Sequence, residues 1–122
     1  MDILCEKSLT KTDLEHQFVV PIDFLKKHAV RDENGDLKKK IPSFDRDGQE
    51  WKFQLAIRKD GHPKPTLTPA SWHPFVKHFG LQEGDVVRFY IIRNEGARKI
   101  QIQAWREIVI LGTSAWAEVE KV

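Results

Sequence analysis

Five histidines, one cysteine and a scatter of carboxylates are the residues of this chain that could do proton-transfer, nucleophilic or metal chemistry. Their spacing argues against all three. His73 and His78 lie five apart, which does not place them on one helical face, and His16, His28 and His62 are far away. No paired-cysteine site, zincin spacing, phosphate loop or dinucleotide-binding glycine pattern is present. Asp45 and Asp47 near Lys52 are the nearest thing to a nuclease-like cluster, and solvated turn residues are the simpler reading of them. Cys5 falls in a predicted strand and reads as a structural thiol. Catalysis needs several groups in mutual geometry, so no enzyme is expected, and no metal or cofactor.

Cations offer a second kind of chemistry. The segment RKDGHPKP carries Arg58, Lys59 and Lys64 on a stretch stiffened by Pro63 and Pro65. Arginine suits bidentate contact with guanine, and lysine neutralises phosphate, but read from the residues alone these are solvated loop charges. Proline lowers the entropy lost when a loop is held against a ligand. A second segment, TKTDLEHQ, carries Thr10, Lys11, Thr12, His16 and Gln17. The net charge of +2 and pI near 8.7 are only mildly basic. The distribution is uneven: residues 1–50 carry nine Lys/Arg against eleven Asp/Glu, and residues 51–112 carry ten against five. An anionic partner should therefore meet the second half first.

Strands must position these residues. Period-2 alternation marks 51–58, where Trp51, Phe53, Leu55 and Ile57 share a face; 85–93, with Val87, Phe89 and Ile91; and 99–106, with Ile100, Ile102 and Ala104. Shorter strands are predicted at 3–9, 17–20 and 39–44. A helix is predicted over 69–79, opened by Thr68-Pro69, closed by Gly80, with Trp72, Phe75, Val76 and Phe79 as its apolar stripe. A shorter one starts at Pro21, with Ile22, Leu25 and Ala29 on one side. Turns fall at Asn34-Gly35, Asp47-Gly48, Asp60-Gly61 and Glu83-Gly84. Many short strands with two helices predict a small β-barrel plugged by helices, its loops forming the working surface. The chain of 122 residues suits a single domain. No apolar run approaches a membrane span, no signal-peptide stretch opens the chain, and one cysteine suits a reducing compartment, so a soluble intracellular domain is expected.

The order of motifs resembles the plant B3 DNA-binding domain. The matching residues are Leu9, Thr10, Thr12, Asp13, Val19, Val20, Pro21 and Lys27-His28-Ala29; then Asp45, Gly48, Trp51 and Phe53; then Leu67-Thr68, Trp72, Phe75-Val76, Leu81 and Gly84-Asp85; then a strand ending at Trp105-Arg106. The resemblance covers about 5–107 and leaves 108–122 as an extension, either an added strand or a tail. It implies a mainly β, open seven-stranded pseudobarrel with two short α-helices. It also implies double-stranded DNA as partner, gripped in the major groove by two arms, here about 10–17 and 58–65, in a nuclear transcriptional regulator. The DNA-binding residues it implies are Thr10, Lys11, Thr12, His16, Gln17, Arg58, Lys59 and Lys64. The chain departs from the family in carrying Gln17 where many members have Arg, in a shortened first arm containing Glu15, and in lacking a Trp-Asn pair in the second arm. The alternative is a B3-like fold used for protein interaction or dimerisation with weak or no DNA binding. A restriction-enzyme recognition domain shares the fold, and the Asp45 to Phe53 signature argues against it.

Overall fold

The computed structural model describes residues 2–28, 40–57 and 65–122. Among these, eight strands and three helices follow in the order β1 (Asp2–Ser8), α1 (Lys11–Glu15), β2 (Phe18–Val19), α2 (Ile22–His28), β3 (Lys40–Phe44), β4 (Glu50–Ile57), β5 (Pro65–Leu67), α3 (Pro69–Phe79), β6 (Val86–Asn94), β7 (Ala97–Ile110) and β8 (Thr113–Glu118). They make one curled, open sheet in the order β1-β6-β7-β3-β4-β5-β2, with β8 beside the second half of β7. Every pairing is antiparallel except β3 with β7. This is the mainly β, open pseudobarrel that the resemblance implies. Its eighth strand is β8, drawn from residues beyond 107, and its additional helix is α1.

Alternation places the core. The register Val87↔Ala104, Phe89↔Ile102 and Ile91↔Ile100 sets six buried apolar residues on one face of the β6–β7 ladder. Phe53 and Leu55 of β4 and Ile41 of β3 complete that face across the sheet. α3 plugs the open side. Pro69 takes the first helical position, Gly80 ends the helix in the left-handed region at φ 56°, and Trp72, Phe75 and Phe79 turn inward. Trp72 is wholly buried, its ring 4.7 Å from Phe18, 5.5 Å from Phe75 and 5.9 Å from Phe53. The Thr68 hydroxyl accepts no helix N–H as a cap; it donates to Ser71 Oγ at 2.9 Å, and that oxygen accepts the Gln54 N–H at 3.1 Å, tying α3 to β4.

Two expectations change. In α2 the buried side chain is Phe24, which meets Phe89 at 5.3 Å, while Ile22 is exposed. One turn cannot bury both 22 and 24, and the large aromatic takes the core. Asp45 is not a solvated turn residue. It is buried and accepts the N–H groups of Asp47 and Gln49 and the indole N–H of Trp51 at 2.9 Å. The carboxylate clamps the turn between β3 and β4, and Gly48 supplies the φ of 84° that the turn requires. Trp51 is thereby half-buried, edge-on to Phe75 at 5.3 Å.

The residues after 107 do not dangle. β7 continues without a break to Ile110, Leu111 and Gly112 turn with φ 50° and 78°, and β8 returns. The Val119 N–H then reaches Ala104 O at 2.8 Å, and that of Val122 reaches His78 O at 2.9 Å.

Candidate nucleic-acid interface

The first candidate arm begins as a helix rather than a free loop. Thr10-x-x-Asp13 forms a reciprocal capping box: the Asp13 N–H donates to Thr10 Oγ1, and the Thr10 N–H donates to Asp13 Oδ2 at 2.8 Å. The carboxylate does more than cap. Lys7 Nζ donates to Asp13 Oδ1 at 2.8 Å and to Val19 O at 2.8 Å, and the Val19 N–H donates to the same Asp13 oxygen at 3.2 Å. The Trp72 indole N–H donates to the Asp13 carbonyl at 2.8 Å. So β1, α1, β2 and the plug helix α3 meet at one fully buried aspartate. Burial opposes its charge, but the bonds from Lys7, Thr10 and Val19 together outweigh this and hold its pKa below the usual carboxylate value.

That anchor leaves a short exposed face. Lys11, Thr12 and His16 are exposed and Gln17 is half-buried. Lys11 Nζ lies 4.0 Å from Glu15 Oε1, both side chains in solvent, so the pair contributes little and the lysine stays available to an anion. The Thr10 hydroxyl is committed to Asp13. Arg58, Lys59 and Lys64 fall outside the described residues. Their flanks are described: Ile57 pairs with Pro65 as β4 meets β5. The other edge of β5 carries β2, with Phe18 opposite Leu67, Val19 opposite Thr66, and the Val20 N–H on Pro65 O at 2.8 Å. Three residues of β5 therefore hold both candidate arms. Segment 10–17 enters at the Leu67 end, and segment 58–64 leaves at the Pro65 end.

Three other arginines are already spent on the fold. Arg106 makes a two-point contact with Asp85, Nε to Oδ1 at 2.9 Å and Nη2 to Oδ2 at 2.8 Å, and also reaches Gly80 O at 3.1 Å. Asp85 in turn receives the Gln82 N–H at 2.8 Å. Arg88 lies between Glu6, at 2.6 Å, and the Tyr90 hydroxyl, at 3.0 Å. The hydrogen bond to Tyr90 and the contact with Glu6 raise its pKa, as Asp85 raises that of Arg106. Arg46 faces Glu118 at 3.7 Å and Glu120 at 3.4 Å. Lys40, Lys52, Lys77 and Arg93 are exposed.

Asp13 stands in a sequence motif that assigns it no task; the signal for one is the Thr-x-x-Asp spacing of a capping box. Gly84-Asp85 and Trp105-Arg106, read as separate motifs, are two halves of one ion pair.

A curled open sheet plugged by a tryptophan-bearing helix, with a capped arm anchored on a buried aspartate, defines the B3 pseudobarrel class. The chain belongs to the B3 DNA binding domain family, whose sequence profile matches residues 5–107. Two solved structures share the fold at a TM-score of 0.65: an Arabidopsis FUS3–DNA complex, 23% identical over 84% of this chain and 95% of that one, and the complex of the Arabidopsis thaliana transcription factor LEC2 with DNA, 20% identical over 84% and 91%. A hypothetical Arabidopsis thaliana protein aligns at a TM-score of 0.56 with 18% identity, over 85% of this chain and 94% of that one. A search of curated protein sequences finds no match.

Proposed function

We propose that this chain binds double-stranded DNA through the major groove and reads sequence there, as the DNA-binding domain of a plant transcriptional regulator acting in the nucleus. It works as a binding module rather than an enzyme. The observation that carries the reading is β5, which ties both candidate arms to one three-residue strand while Asp13 locks the first arm onto the core. A preorganised first arm loses less entropy on docking. Family membership and the DNA complexes of FUS3 and LEC2 support the same partner.

Within this reading Arg58 reads a base edge, because it follows directly on β4 and opens the proline-stiffened segment. Lys64, Lys59 and Lys11 position the phosphate backbone. Thr12, His16 and Gln17 add contacts from α1 and its exit, and Thr10 orients them through its cap. Selection from random duplexes with the purified domain, followed by titration at several salt concentrations, tests the proposal. With about four phosphates neutralised, log K against log salt should slope near −3 to −4. Arg58→Ala should cost about 1–3 kcal/mol on the selected site and relax preference at one base pair. Lys64→Ala should weaken all duplexes alike and lower the slope by about one. Lys77→Ala, on the outer face of α3, serves as control. A flat salt response, or no binding at low salt, overturns the proposal; equal weakening of every duplex by Arg58→Ala makes Arg58 a phosphate contact instead.

A further inference from the structure

Beyond Arg106 the β7–β8 hairpin leaves the rest of the sheet behind. β6 pairs with β7 only as far as Val86↔Trp105, and from Arg106 to Ile110 the sole partner of β7 among the described residues is β8. Alternation puts Val109 and Trp116 on one face of this two-stranded ribbon, and Ile108 and Ile110 on the other. Both faces are uncovered: Val109 is 67% exposed, Ile110 58%, Trp116 50% and the turn residue Leu111 fully. An isolated two-stranded ribbon is marginal in water and needs a third strand or a covering layer. Protein edges are normally blunted by lysine, proline or a bulge. From Ile108 to Val119 the one charged residue is Glu118, and there is no proline.

We propose that this hairpin is a homodimer interface, at which β8 pairs antiparallel with β8 of a second copy about a two-fold axis. Three observations select a second copy. First, the hydrogen-bonding edge is self-complementary. The two-residue turn at Leu111-Gly112 makes Ile110–Thr113 the closing hydrogen-bonded pair, so residues 113, 115 and 117 face β7. The Val119 N–H on Ala104 O continues that alternation. Ser114 and Trp116 therefore present their N–H and C=O groups outward. Pairing centred on Ala115 sets Ser114 of each copy against Trp116 of the other, and both sets of groups are satisfied.

Second, the charges suit this arrangement. Residues 108–117 carry none, and the face of Val109 and Trp116 has only the acids Glu107, on β7, and Glu118, so it offers nothing to a polyanion, while the β8 edge from 113 to 117 meets its own copy without a charge on either side. Glu118 lies at the far end of β8 from the turn and is already faced by Arg46. An antiparallel two-fold keeps the two Glu118 side chains apart, whereas parallel pairing would stack them. Third, the pairing turns two two-stranded ribbons into one four-stranded sheet, and setting Ser114 of each copy against Trp116 of the other puts both Trp116 side chains on the face that carries Val109.

The test is sedimentation of the full 122-residue chain from low to high micromolar concentration. The expected result is a monomer–dimer equilibrium. Trp116→Lys sets two like charges on the face the copies share, each opposite Ser114 of the other copy, and should raise the dissociation constant about tenfold or more. Ser114→Pro removes an outward N–H and leaves the β7 ladder intact, and it should do the same. Circular dichroism of both variants should match the parent, and the exposure of both sites makes folding failure of the pair unexpected. Amide exchange at Ser114 and Trp116 should slow as concentration rises. A chain that stays monomeric throughout, or a dimer that both variants leave unchanged, overturns the proposal.

Discussion

Asp13 accepts from Lys7, Thr10 and Val19, so one carboxylate joins the first strand, the first helix and the second strand. It is ionised out of contact with water, and this sets a pH dependence. Its folded pKa lies below the ordinary value of 3.8. On acidification the unfolded chain takes up the proton first, so the stabilisation is complete above the ordinary value and drains away as pH falls through the lowered one. Asp13→Asn keeps the shape, loses the charge and leaves Lys7 without its anion. The variant should be less stable by about 3 kcal/mol near neutrality, as for other broken buried pairs. Its stability should also change less with pH below about 4 than that of the parent, the value at which an unperturbed aspartate titrates. Urea unfolding of both proteins across that range measures the difference, and parallel curves would show that Asp13 is not ionised in the fold.

At the scale of elements, α3 ends where Gly80 turns left-handed at φ 56°. A β-carbon there would lie 2.6 Å from Val122 Cγ2, but Val122 is almost fully exposed and can swing aside. The backbone angle therefore decides, and Gly80→Ala should cost about 1 kcal/mol. Removing Val122 should recover little of it, which thermal melts of the single and combined variants would show. This helix was fully legible in the sequence, from Pro69 to Phe79, because cap, stripe and stop all agree. The long strands were legible for the same reason. What local pattern cannot carry is a partner far along the chain. Asp45 reads as a turn residue until Trp51 is seen to donate to it, and Asp85 as another until Arg106 closes on it. Phe24 was lost to a helical stripe drawn through Ile22, since a helix of seven residues is too short for periodicity to choose a face. The arm 10–17 gives no helical signal in the sequence because its helix is only five residues long and held by the Asp13 contacts. Thr10, Lys11, Thr12, His16 and Gln17 stand together on it and beside it, and Arg58, Lys59 and Lys64 lie outside the described residues.

For the molecule as a whole, the charge that counts toward a polyanion is smaller than composition suggests, because Arg88 and Arg106 are neutralised within the fold. Arg106→Met should destabilise the domain by about 2 kcal/mol, less than for a fully buried pair because the guanidinium is about one-third exposed. It should leave the salt slope of duplex binding unchanged; a drop of about one unit would mean that Arg106 reaches a phosphate. The curled sheet also has a fault line. One leaf, β1-β6-β7-β8, is laddered continuously, and so is the other, β3-β4-β5-β2. Across the join, β3 meets β7 through two registered pairs, Ser43 with Ile100 and Phe44 with Gln101. Bringing residue 44 to residue 101 closes a long loop, so this join should zip late in folding and part early in unfolding. The molecule is then two pages bound along a short spine. The first arm is clasped to both pages, through β2 on one and through the Lys7–Asp13 contact with β1 on the other, so a fluctuation that opens the book must first strain that clasp.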